Sequence, residues 1–147
     1  MEKIRLSNFD HIGGEFEPWL SFSKAVKEAS REQLDELIAH ALDESDEDES
    51  SRAVTIEAFS VQHAETDPEN TKKILFAGLK SKYEQVQFSA LASLTSALNL
   101  KDLGEVLQTV VWLQNNSPFP DVVRAAPYTV DTICRWLLEY DRNSSQK

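Results

Sequence analysis

The sequence predicts an all-α domain of about seven helices packed in antiparallel pairs, and three observations carry that expectation. Turn formers are scarce, with 4 Gly and 5 Pro in 147 residues, too few for the many tight turns of a sandwich or barrel. Apolar residues recur at helical spacing along most of the chain. Helix-start residues stand immediately before several of those periodic stretches. The length suits one ordinary domain, residues 1–147, large enough to bury most of its apolar surface without metals or disulfides.

The opening, to about Glu17, reads as irregular, with Gly13-Gly14 as a joint. Pro18 then suits the first turn of a helix to about Ala29 that carries Trp19, Leu20, Phe22 and Val26. Ser30 and Gln33 have the spacing of a capping box, with Glu32 in the first turn. Leu34, Leu37, Ile38, Ala41 and Leu42 follow on one face, predicting a second helix to about Glu44. From Asp43 to Glu49 there are six carboxylates in seven residues. So dense a run repels itself, which predicts an exposed loop at 45–49. A third helix, about 50–64, has two candidate apolar faces: Val54, Ala58 and Val61, or Ile56 and Phe59 with His63. Asp67-Pro68 is a cap followed by proline at the first helical position, opening a fourth helix to about Lys80 with Ile74, Leu75 and Leu79 inside.

After a break at Ser81-Lys82, a fifth helix covers about 83–98, its stripe formed by Val86, Ala90, Leu94 and Leu98. Asp102 can cap a sixth, about 103–115, ended by Asn115-Asn116-Ser117-Pro118. The last begins near Pro120 and runs to about Tyr140. Pro127 is expected to bend or loosen its first turns, and the polar tail 143–147 to fray.

An internal repeat organises these helices. Val86, Ala90, Leu94 and Leu98 match Val122, Ala126, Val130 and Cys134 at a shift of 36 residues. Thr55, Phe59 and His63 match Ala90, Leu94 and Leu98 at a shift of 35. The unit is a helix pair, which cannot bury its apolar face alone but shares a core when stacked. Pro120-Asp121 with Val123-Arg124-Ala125-Ala126, then Tyr83 to Leu91, and Ser51-Arg52-Ala53, each resemble the first helix of HEAT-type repeats over roughly residues 50–140. Gln87 stands where that family usually has Arg, and Pro127 where its helix would continue. The resemblance implies a HEAT-like short solenoid that binds proteins on its concave surface without cofactors. An irregular helical bundle is the alternative.

Composition narrows the function classes. The net charge is −10, and residues 1–50 hold 14 acidic and 5 basic residues, nine of the ten excess negative charges. A field of that sign repels phosphate backbones and anionic lipid and attracts cationic partners, so no direct nucleic-acid binding is expected. No apolar run is long enough to span a membrane. Met1-Glu-Lys-Ile-Arg-Leu6 lacks the apolar run of a signal peptide, and Cys134 is the only cysteine, so the chain reads as cytoplasmic, with Cys134 a small core residue.

No catalytic, cofactor or metal site is expected. His11, His40 and His63 lie in separate elements without zinc spacing, and His40 and His63 read as helix-flank residues. There is no Gly-x-Ser-x-Gly elbow and no phosphate-binding glycine loop. The acid run fails as an EF-hand loop, because Ser51 follows Asp46-Glu47-Asp48-Glu49-Ser50 where the sharp turn demands a glycine.

Two features point to a binding surface. The first is the acid run, Asp43, Glu44, Asp46, Glu47, Asp48 and Glu49, extended along the second helix by Glu32, Asp35 and Glu36. The second is Trp112, opposite the stripe of Leu103, Val106, Leu107, Val110 and Leu113. There it either packs on a neighbouring helix or serves as an aromatic anchor for a partner. In size and acidity the chain resembles bacterial immunity proteins, which neutralise toxic nucleases by covering a positively charged site. That resemblance implies a non-enzymatic inhibitor of a basic protein, such as a toxin domain. The alternative is a HEAT-like adaptor whose acidic loop only solubilises it.

Overall fold

A computed structural model describes residues 17–97 and 103–145. The irregular opening with Gly13-Gly14 and His11, the end of the fifth-helix stripe at Leu98, the Asp102 cap and the last two tail residues lie outside the described residues. Those described form seven α-helices and no strand: α1 Glu17–Lys27, α2 Arg31–Leu42, α3 Glu49–His63, α4 Pro68–Leu79, α5 Glu84–Ala97, α6 Leu103–Asn116 and α7 Pro120–Ser145. The all-α expectation holds.

Local chemistry explains the boundaries. Ser30 and Gln33 close a reciprocal capping box at the start of α2. The Ser30 Oγ accepts from the Gln33 N–H (3.2 Å) and the Gln33 side chain accepts from the Ser30 N–H (2.9 Å). Asp48 caps α3, and Asp67, followed by Pro68, caps α4. α7 continues through Pro127 and on to Ser145, beyond the end near Tyr140 that the sequence predicted. Pro127 stands inside the helix, so it forfeits the N–H bond to the carbonyl four residues back without ending the helix.

Helix starts recur at the spacing of the apolar pattern. Helices α3, α5 and α7 start at residues 49, 84 and 120, separated by the 35- and 36-residue shifts of the apolar pattern. The turn before each is built alike. A side-chain oxygen of Asp46, Ser81 or Ser117 accepts the N–H two residues on, from Asp48, Tyr83 or Phe119 (2.9, 3.1 and 3.2 Å). The next backbone bond also recurs, from the N–H of Arg52, Gln87 and Val123 to the carbonyl four residues back.

Packing follows the same order. α3 lies against α1 and α5, α5 against α7, α2 against α4, and the consecutive pairs α2–α3, α3–α4, α4–α5 and α6–α7 are in contact. Ile56, Phe59, Ile74, Leu79, Val86, Ala90, Leu94, Val110, Leu113, Val122 and Ala126 form one continuous core. Of the two faces considered for α3, the one with Ile56, Phe59 and His63 is buried, while on the other Ala58 is buried, Val54 half-buried and Val61 exposed. α4 and α5 come close because Gly78 faces Ala90. A Cβ on Gly78 would lie 2.7 Å from the Ala90 Cβ. Cys134 is half-buried rather than a full core residue.

Buried polar side chains tie the turns together. Arg52, only 1% exposed, donates from Nη2 to the Ala41 carbonyl at the end of α2 (3.1 Å) and to Glu44 Oε1 (2.8 Å), with the Tyr83 ring centre 5.7 Å from its guanidinium. Gln87, one repeat later, donates to the carbonyls of Leu79 (2.9 Å) and Ser81 (3.3 Å) and accepts from Ser117. Each satisfies carbonyls that the preceding helix end leaves open. His63 is not a flank residue: its Nε2–H donates to the Val26 carbonyl (2.8 Å), fastening α1 to α3.

Candidate functional site

The acid run is less free than its charge density suggested. Asp43 accepts from the Ser45 N–H (3.0 Å), Asp46 from the Asp48 N–H, Asp48 from the Ser51 N–H (3.2 Å), and Glu49 from the Gln85 N–H (3.3 Å). Glu44 receives Arg52 and the Lys82 N–H (3.3 Å). Among the described residues only Glu47 of the six makes no such bond. Residues 43–48 form the connection between α2 and α3, and Glu49 belongs to α3. Backbone N–H groups left open at turns and helix starts compete with water for carboxylates, and here they hold most of the run in place.

Protonation equilibria carry the same signature. Burial alone would raise the Glu44 carboxyl, but hydrogen bonds from Arg52, Ser81 and the Lys82 N–H outweigh it and hold the pKa below that of an ordinary glutamate. Hydrogen bonds from Ser45, side chain first and then backbone, lower Asp43. His40 joins this corner, with Nδ1 3.3 Å from Asp46 Oδ2 and Nε2 3.0 Å from Ser51 Oγ, so it too is bonded rather than a bare flank residue.

A second acidic surface went unnoticed in the sequence. A groove of about 630 Å³ lies along α3 and α5 and reaches the start of α7. Its carboxylates are Glu49, Glu57, Glu84 and Asp121, its apolar surface comes from Val54 and Phe88, and no Lys or Arg lines it. Glu49, Glu84 and Asp121 each stand in the first turn of their helix, where negative charge complements the positive end of the helix dipole. The repeat brings these three starts together. Glu57 accepts from Ser89 Oγ (2.7 Å), which fixes it across the α3–α5 contact. Asp121 is paired with Arg124 beside the groove. Phe88 is 43% exposed, an uncovered aromatic ring among carboxylates.

Of the residues singled out from sequence, Glu49 alone lines this groove. Asp43, Glu44, Asp46, Glu47 and Asp48 occupy the neighbouring turn, and Glu36 is exposed on α2. Glu57, Glu84, Asp121 and Phe88 were missed. The available signal was the repeat itself, which puts acids at equivalent first-turn positions, whereas local charge density drew attention to one loop.

Trp112 is 55% exposed, so it does not pack fully on a neighbouring helix. It borders a hollow of about 350 Å³ between the end of α4 and α6, with Leu79, Lys80, Gln108 and Thr109. Trp112 and the acidic groove are separate features, with no lining residue in common.

Among the described residues no three His, Cys, Asp or Glu side chains are gathered as metal ligands, and no helix is long and apolar enough to cross a membrane. Comparison with protein-family models, curated proteins and solved structures finds no match for the chain.

Proposed function

We propose that this protein is a non-enzymatic binding module that docks on a positively charged surface of another protein. In its most specific form it is an immunity-type inhibitor covering the basic site of a toxin or nuclease. The observation that carries this reading is the groove with four carboxylates, of which, among the described residues, Asp121 alone is paired with a cation, Arg124, and with Phe88 exposed among them. Carboxylates attract Lys and Arg side chains over distance and speed encounter. An exposed aromatic ring gives their aliphatic stems and guanidinium planes a surface to lie on. The neighbouring acids of residues 43–48 and Glu36 extend the field beyond the groove. No cofactor, nucleic acid or membrane enters this mode of action.

The fold suits such a task as a HEAT-like stack of helix pairs. The recurring turns at 46–48, 81–83 and 117–119 and the chain-order contacts of α1, α3, α5 and α7 favour that arrangement. Stacked pairs hold a long surface rigid, so side chains from three helices can serve one partner without ordering loops on binding.

The adaptor reading also has an observation in its favour, the uncovered Trp112 beside its hollow. Two variants separate the two. Glu57→Gln/Glu84→Gln/Asp121→Asn removes groove charge, and Trp112→Ala removes the aromatic. Loss of partner binding in the triple variant with retention in Trp112→Ala supports the inhibitor reading. The opposite pattern supports the adaptor.

A further inference from the structure

We propose that the outer face of α7 is a self-association surface, pairing antiparallel with the same face of a second copy. α7 packs on α5 and α6 through Val122, Ala126, Thr129 and Ile133. At 100° per residue, Arg124, Tyr128, Asp131, Arg135, Leu138 and Arg142 fall on the side directly opposite. All six are exposed, with Tyr128 at 79% and Leu138 at 64%. The stripe extends over about 27 Å at 1.5 Å per residue. Nothing among the described residues covers it.

The order of residues along the stripe selects the occupant. Tyr128 and Leu138 are equidistant from Ile133, and so are Asp131 and Arg135. Two copies of α7 related by a two-fold axis at the level of Ile133 therefore place Tyr128 opposite the partner's Leu138, and Asp131 opposite the partner's Arg135. Each unlike pair occurs twice, as an isologous interface requires. Asp131 and Arg135 already bond within the helix (2.8 Å), so docking completes a square of alternating charge. Arg124 falls opposite Arg142 at either end, an unfavourable pair that Asp121, bonded to Arg124, and Glu139 offset. A parallel arrangement would set Tyr128 on Tyr128 and like charges on like, which selects against it.

A single helix–helix contact lies at the small end of specific interfaces, so the dimer is a weak, reversible one. None of the six stripe residues lines the acidic groove, although Arg124 bonds Asp121 at its edge. Sedimentation equilibrium of the whole chain, followed up to about 1 mM where millimolar association becomes visible, should show a monomer–dimer equilibrium. Asp131→Arg and Arg135→Asp should each abolish the dimer, and the double variant should restore it. Leu138→Glu should abolish it with helical content unchanged. Under oxidation in a Cys134→Ser background, Tyr128→Cys/Leu138→Cys should form an interchain disulfide and Tyr128→Cys alone should not. A monomer at every concentration, a dimer indifferent to the charge exchange, or cross-linking by Tyr128→Cys alone would overturn the proposal.

Discussion

Removing either partner of the Arg52–Glu44 pair deletes the same ion pair, yet the two deletions should differ in cost. Arg52 is wholly buried, and among the described residues its Nε and Nη1 have no hydrogen-bond acceptor. Glu44 is partly open to solvent, with 44% of its side chain exposed. Glu44→Ala leaves a buried guanidinium without its carboxylate and removes the acceptor of the Lys82 N–H. Breaking a fully buried pair costs about 3–5 kcal/mol, and the exposure of Glu44 puts this one at about 2–3 kcal/mol. Arg52→Met instead loses two charge-assisted bonds from Nη2, worth about 1.5–3 kcal/mol each, and relieves two buried N–H groups whose desolvation costs about 1–3 kcal/mol apiece or more on a charged group. Its stability should stay within about 1 kcal/mol of the parent or rise above it. At about 2–4 °C per kcal/mol for a domain of this size, Glu44→Ala should lower Tm by about 4–12 °C and Arg52→Met by no more than about 4 °C. Urea and thermal unfolding followed by circular dichroism measure both. A larger loss for Arg52→Met than for Glu44→Ala would refute the reasoning.

Two further outcomes follow from packing and protonation. Gly78→Ala gains about 1 kcal/mol of helix propensity but drives a methyl to 2.7 Å from the Ala90 Cβ. Overpacking of this kind costs about 1–3 kcal/mol, so a net loss of up to about 2 kcal/mol is expected, with Ala90→Gly in the Gly78→Ala background relieving the clash, as chemical denaturation would measure. Glu44 and Asp67 both have depressed folded pKa values, Asp67 because hydrogen bonds from Asn70 and Arg31 outweigh its burial. Their stabilisation is complete above the ordinary values of 4.5 and 3.8 and disappears as pH falls through the lower folded values. Tm measured across pH should therefore hold to about pH 5 and fall below it, and Glu44→Gln should reduce that fall.

Much of the fold was legible because the signals that set it are local. The Ser30–Gln33 box and the Asp67-Pro68 cap are decided within four residues, and they occur where the sequence placed them. Of the positions matched at a 36-residue shift, Val86, Ala90, Leu94, Val122 and Ala126 are wholly buried, whereas Val130 and Cys134 are half-buried. The site was harder to read because its geometry is not local. Glu49, Glu57, Glu84 and Asp121 meet only after three helix starts are brought into register, and no window of sequence contains them all. The acid run is the loop that charge repulsion predicts, with Ser45, Glu47 and Asp48 exposed, but turn and helix-start N–H groups also bind its carboxylates and hold Asp43, Asp46 and Asp48 in fixed roles. Arg52, part of the apparent repeat motif, turned out to be the buried counter-charge for Glu44.

The central claim is that groove carboxylates capture a cationic protein. The most direct measurement isolates the natural partner by native pull-down, then follows its association rate across ionic strength for the parent chain and for Glu57→Gln/Glu84→Gln/Asp121→Asn. A basic partner is expected, associating more slowly as salt rises, with the triple variant slow at every salt concentration and less sensitive to it. A neutral or acidic partner that binds equally fast in high salt, and binds the triple variant as well as the parent, would contradict the account.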